Sequence, residues 1–129
     1  MIIEGSLVVT LSVDTTNSYI KVLNKSNGNL IRSANFPVTF KRMEVTPDFT
    51  KALLWSEFSQ VSIVRLSDLV NLTLWSPPVT PAPNSTNRVT ISKDSTLAII
   101  ETDNFNPVYV MDLNSFAVVK AISINQIIF

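Results

Sequence analysis

Cysteine and histidine are both missing from this 129-residue chain. Without cysteine there is no disulfide framework, and without either residue there is no zinc site of thiolates or imidazoles. A Ser-His-Asp or Cys-His nucleophile cannot be assembled within the chain. Chemistry run by this chain alone would rest on carboxylates, tyrosines, lysines or a bound cofactor, and no motif calls for a cofactor or a metal. Glycine is scarce too, at Gly5 and Gly28 only, so tight turns lose their usual occupant. Neither sign of charge dominates. Ten basic residues offset ten acidic ones, and no lysine-arginine run appears, which is the wrong footprint for gripping a phosphate backbone. No apolar run approaches the roughly 18 residues that span a bilayer. Nucleic acid and membrane are therefore not expected partners. The start, Met1 to Val9, carries Glu4 and no basic flank, so it does not read as a signal peptide. The cytoplasm is the expected compartment, although a cysteine-free chain fits any redox environment.

What is present is apolar bulk and a repetition. With 46% apolar residues in the length of one ordinary domain, the chain has the material for a packed core. "VTPDFTKALLWS", from Val45 to Ser56, is echoed by "ISKDSTLAIIET", from Ile91 to Thr102. The overlay pairs Val45 with Ile91, Asp48 with Asp94, Ala52 with Ala98, and Leu53-Leu54 with Ile99-Ile100, about 46 residues apart. Downstream, "VSIVRLSDLVNL" matches "VYVMDLNSFAVV", one residue further apart. Upstream, "YIKVLNKSNGNLI" from Tyr19 fits the same frame at about 42 residues. The Pro-rich "SPPVTPAPN" lengthens the second spacing.

A self-similar period in the low-to-middle forties is the signature of a β-propeller blade of four antiparallel strands. The middle unit contains four β-rich runs, "VTFKRMEV", "KALLWS", "VSIVRL" and "NLTLWS", with "TPDFTK" placed for a tight turn. In "VSIVRL" the alternation puts Val61, Ile63 and Arg65 on one face. Runs such as "LAII" suit strands buried on both faces, as stacked blades require. No 3.6-residue helical period is visible. The expected fold is all-β, a partial propeller with repeat units 1–35, 36–77 and 78–123, and residues 124–129 starting a further strand. The alternative is a β-sandwich whose strands resemble each other by composition alone, a reading that the low glycine content favours.

At these residues the chain resembles the WD-repeat and YVTN-type propeller superfamily, from about Leu7 to Ser123. "NSYIKVLNKSNGNLIR" is similar to the last two strands of such a blade. "VTPDFTKALLW" and "ISKDSTLAII" are similar to the second-strand entry, which in those repeats reads "SPDG-x-x-L". No Gly-His pair and no Trp-Asp dipeptide occurs, and Phe49 and Ser95 stand where the turn glycine would be. The resemblance implies a rigid platform that binds other proteins, although fold alone does not decide function.

The strand count leaves ragged ends. The chain reads as opening at the second strand of one blade and closing, at "INQIIF", in the first strand of another. Known propellers close with about four to eight blades, so the expectation is either a piece of a longer chain or a homo-oligomer. In its sharpest form, "INQIIF" of one copy completes the open blade of a second.

The loops between second and third strands, "VDTTNS", "SEFSQ" and "ETDNFNP", are expected on one rim. They bring together Asp14, Glu57, Glu101 and Asp103 beside Phe58 and Phe105, with Phe36 arriving from a blade-to-blade connection. Exposed aromatics among polar neighbours suit a protein-binding surface. Against this, hairpin loops favour Asp and Asn for turn geometry, and phenylalanines tuck beneath them. Paired acids could hydrolyse glycosides, but "ETDNFN" lacks the spacing of a calcium loop. "SPPVTPAPN" holds a Pro-x-x-Pro spacing yet reads as a stiff crossover, and Trp55 and Trp75 read as core or blade-interface residues. The expected function is a non-catalytic protein-interaction scaffold within a larger propeller or assembly. The alternatives are a propeller enzyme or ligand-binding domain using rim carboxylates, and a structural subunit of a large complex.

Overall fold

The computed structural model describes residues 2–4, 7–55, 60–75, 86–102 and 108–122. Twelve strands form three four-stranded antiparallel sheets, and no helix occurs among the described residues. The first sheet holds β1 (Ile2–Glu4), β2 (Leu7–Val13), β3 (Ser18–Asn24) and β4 (Leu30–Phe36). The middle sheet holds β5 (Arg42–Val45), β6 (Lys51–Trp55), β7 (Val61–Arg65) and β8 (Val70–Trp75). The third holds β9 (Thr86–Ile91), β10 (Leu97–Thr102), β11 (Val108–Asp112) and β12 (Val118–Ile122). Each is a meander in which sequence neighbours pair, the arrangement of a propeller blade. The first sheet therefore begins at a first strand, not at a second one as the sequence suggested. Ile2–Glu4 is only three residues long and pairs with Leu7–Val9, too short to carry a periodic signal. With four strands already in place, that sheet has no gap for a strand from another copy. "INQIIF" lies outside the described residues.

The blades repeat in detail. In each, the ladder between third and fourth strands slips by one residue, at Val22/Leu23, Ile63/Val64 and Val110/Met111. Each slip precedes a turn whose last residue is left-handed: Gly28 (φ 72°), Leu69 (φ 58°) and Phe116 (φ 61°). Only one of the three is glycine. Leu69 and Phe116 accept a backbone state that costs an L-residue about 1–2 kcal/mol, and both side chains pack into the apolar seams between blades.

The turns between first and second strands are near copies of each other. Thr46 and Ser92 donate their hydroxyls to Asp48 Oδ1 and Asp94 Oδ1, both at 2.7 Å. Those carboxylates accept Thr50 and Thr96 hydroxyls at 2.7 and 2.6 Å and the same residues' N–H groups, both at 3.1 Å. Phe49 (φ 60°) and Ser95 (φ 64°) take the left-handed position. A hydroxyl-carboxylate-hydroxyl clamp thus holds a bend usually left to glycine. The two turns are bonded to each other, because the Asp48 N–H donates to Ser95 Oγ at 2.9 Å.

Two apolar seams join the three sheets. Val9, Ile20 and Val22 of the first sheet pack with Ala52, Leu54, Val64 and Leu69 of the middle one. On the other side, Leu53, Trp55, Val61 and Ile63 pack with Val89, Ala98, Ile100, Tyr109 and Met111. Trp75 meets Tyr109 edge-to-face at 5.3 Å across that seam. Strand β6, "KALLW", is buried on both faces from Ala52 to Trp55. "LAII" in the third sheet is not. Ala98 and Ile100 are fully buried, whereas Ile99 is 41% exposed. The expected strand "VTFKRMEV" shortens to Arg42–Val45, with Phe40 buried just before it. Arg65 stands at the exposed end of β7 and pairs with Asp68 through two bonds of 3.0 and 2.6 Å. The three sheets are β-propeller blades stacked face to face, not the two facing sheets of a sandwich.

Candidate functional site

Second strands end, and first strands begin, on one rim of the stack, so the loop after β2 and the starts of β5 and β9 lie at the same end. Asp14 opens the β2–β3 loop. Its Oδ1 accepts the N–H groups of Thr16 and Asn17 at 2.9 and 2.8 Å, and its Oδ2 accepts the Tyr19 hydroxyl at 2.7 Å. The tyrosine hydrogen bond, followed by the two backbone ones, lowers the Asp14 pKa to about 2. The same bond raises the phenol pKa of Tyr19.

Phe36 closes β4 and is half-buried, its ring meeting Phe40 edge-on at 6.2 Å above the first seam. Below it the Ser18 hydroxyl, fully buried, donates to the Val38 carbonyl and accepts the Phe40 N–H at 2.8 Å. Phe36 therefore lies where the connection from the first to the middle blade is pinned down. Glu101 belongs to β10, not to the following loop, and sits 3.7 Å from Arg88 on β9. Its polar neighbours in "ETDNFN" made it read as a loop residue, whereas the ladder runs on past it to Thr102 with a bulge. Glu57, Phe58, Asp103 and Phe105 lie outside the described residues. Of the seven predicted rim residues, Asp14, Phe36 and Glu101 are thus placed at this end of the stack.

On the far rim Asp48 and Asp94 are held by the turn clamps. Burial pushes the Asp48 pKa up, but the Thr46 and Thr50 hydroxyls outweigh it and the net shift is downward. The Thr96 and Ser92 hydroxyls bring Asp94 to about 2. Asp112, which accepts N–H groups from Ser115 and Asn114, is also lowered. A general acid or base works best with a pKa near neutrality. These carboxylates are instead held ionised by the turns they close.

A groove of about 910 Å³ runs between the first strands β5 and β9, lined among the described residues by Lys41, Arg42, Glu44 and Trp55 and by the β9 edge from Arg88 to Ile91; the Arg88 and Thr90 side chains themselves stand on the outward side of the third sheet, Arg88 beside Glu101. Arg42 and Arg88 lie 46 residues apart, the same spacing as Val45 and Ile91, so they are repeat equivalents on adjacent blades. A search for contiguous basic runs misses such a pair. The repeat frame contains it.

A second surface carries an aliphatic strip, with Arg88, Glu101 and Lys120 on the same side. Antiparallel pairing puts Ile99, Val110 and Thr90 on one side of the third sheet, along with Leu97, Val108 and Ile122. This side points away from the middle sheet, and no described element packs against it. The corresponding outward side of the first sheet carries Thr10, Ser12, Tyr19, Lys21, Ser33 and Asn35.

No protein-family model matches the sequence, and no curated protein matches it. Solved structures do. The dihydro-heme d1 dehydrogenase NirN, in complex with DHE, superposes with a TM-score of 0.69 at 18% identity over 91% of this chain. The hydrazine synthase of Kuenenia stuttgartiensis superposes with a TM-score of 0.65 at 16% identity over 89% of it. This chain spans only 24% and 34% of those two chains. Both are β-propeller proteins, and at such identity the likeness extends to the fold: this chain has the architecture of a propeller segment.

Proposed function

We propose that the chain is a non-catalytic interaction scaffold, a run of propeller blades that works inside a larger propeller or assembly. The observation carrying this reading is the outward side of the third sheet. Ile99, Val108 and Val110 occupy the repeat positions that Leu53, Val61 and Ile63 fill in the middle sheet, where all three are fully buried against the next blade. A face built to the same pattern is a face built for another sheet. A contiguous aliphatic strip of this kind marks an association surface on a soluble protein. Asp14, Phe36 and Glu101, with Glu57, Phe58, Asp103 and Phe105, then form a protein-binding rim.

The competing reading is a propeller enzyme using rim carboxylates, and it draws on the enzymatic titles of both neighbours. The pKa directions favour the scaffold, because Asp14 is spent on its own turn and on Tyr19. Size-exclusion chromatography with light scattering tests the reading. The chain should associate as its concentration rises, and the double substitution Ile99→Lys with Val110→Lys should hold it monomeric without unfolding it. A wild-type chain that stays monomeric and soluble at every concentration would count against the docking face. Turnover of a glycoside or organophosphate panel, lost on Glu57→Ala with Asp103→Ala, would establish the enzyme instead.

A further inference from the structure

The two ends of the stack are not alike. The slip in each blade's ladder between third and fourth strands aligns Val22, Ile63 and Val110. In that frame Val9, Leu53 and Ile99 correspond, because each pairs with one of those three. Thr10 then stands where Leu54 and Ile100 stand, and Lys21 where Ser62 and Tyr109 stand. All four counterparts are buried, whereas Lys21 is exposed. The outward side of the first sheet thus carries a threonine and a charge where an interior blade carries aliphatic or neutral side chains. Such a face closes a stack, as the polar caps of repeat proteins do.

The outward side of the third sheet is of the other kind. Ile99, Val108 and Val110 form its aliphatic strip, and its charges balance, Arg88 and Lys120 against Glu101 and Asp112. Arg88 and Glu101 approach to 3.7 Å with both side chains well exposed. Glu101 holds the repeat position of Trp55, which is buried. A purely aliphatic sheet docked here would cover Arg88 and Glu101 without answering either charge. A sheet that brings its own arginine and glutamate answers both.

We propose that the occupant of this face is the same face of a second copy, the two chains being related by a two-fold axis. Such a contact is self-complementary, since each chain offers what its partner needs. Aliphatic strip meets aliphatic strip, and the Arg88–Glu101 pair of one chain adjoins that of the other with opposite signs in contact. Head-to-tail stacking, third sheet on first sheet, would instead bury the Lys21 ammonium against aliphatic side chains. It would also have no natural stop at two copies. The proposal rests on the third sheet being a docking face and names what docks there.

Light scattering on Arg88→Glu and Glu101→Arg, each alone and then mixed in equal amounts, tests it. Wild type should stop at twice the monomer mass. Each variant alone sets like charges against each other across the axis, so its dimer should be weakened about tenfold or more. The mixture joins an acidic face to a basic one and should recover dimer to within about threefold of wild type. Lys21→Glu, on the outward side of the first sheet, should leave the dimer unchanged. All three positions are at the surface, so the circular dichroism spectra should match wild type. Association of wild type without recovery in the mixture overturns the two-fold contact and leaves the docking face to another partner. So does growth beyond two copies, or loss of the dimer in Lys21→Glu, because both mean head-to-tail stacking. A wild-type chain that stays monomeric removes the docking face itself, and this proposal with it.

Discussion

Leu53 and Ile99 hold the same place in two consecutive blades, in "KALLW" and "TLAIIE", yet Leu53 is fully buried and Ile99 is 41% exposed. The local sequence is nearly the same and so is the strand pairing. What differs is the neighbour: β6 lies between two sheets, and β10 has a described sheet on one side only. Burial in a stacked repeat belongs to the position in the stack as much as to the residue. An apolar side chain that a repeat places outward at the end of a stack points to the next element of that stack.

The largest test of this contrast is energetic. Leu53→Ala should cost about 3 kcal/mol, because the cavity would sit between two packed sheets. Ile99→Ala should cost less than about 1 kcal/mol, since its side chain is partly in water already. Urea denaturation of the two variants compares them directly. Equal losses would mean that the third sheet is covered as fully as the middle one.

The two seams can be compared in the same way through their polar bonds. Ser18→Ala removes both the donor to Val38 and the acceptor for Phe40 in a fully buried place, so a loss of about 2 kcal/mol is expected. Ser95→Ala removes a single bond, from the Asp48 N–H, for about 1 kcal/mol. Ser95→Gly loses that bond too but relieves the left-handed strain, and should come out near neutral. Thermal or urea midpoints will rank the three. If Ser95→Gly proves as costly as Ser95→Ala, the strain at that turn is negligible.

The smallest effect is on pH dependence. Asp94 has its folded pKa lowered from 3.8 to about 2. The stability it contributes is fully present above about pH 4 and is lost as the pH falls toward 2. Asp94→Asn should therefore flatten part of the acid limb of a stability profile while leaving the neutral region nearly level.

Much of the fold is legible in the residues, and the reasons are local. The repeated Asp of "TPDFTK" and "SKDSTL" is visible because a turn needs a side-chain acceptor wherever glycine is missing, and Phe49 and Ser95 mark that place. The interior location of Trp55 follows from its position at the end of an apolar run. β1 is not legible, because three residues offer no period. Glu101 was misplaced because a polar stretch can continue a ladder when its cross-strand partner, here Arg88, is polar too. The outward face of the third sheet and the groove between β5 and β9 exist only once blades are set side by side. The repeat frame supplies their ingredients without showing that they meet.

Hydrogen exchange on the dilute chain, resolved strand by strand, addresses the stacked arrangement most directly. Amides of β6 and β7, covered on both faces, should exchange most slowly, and those of β10 and β11 measurably faster. If β10 and β11 are as protected as β6 and β7 while the chain is monomeric, the third sheet has no open face, and the inference that it receives another sheet is wrong.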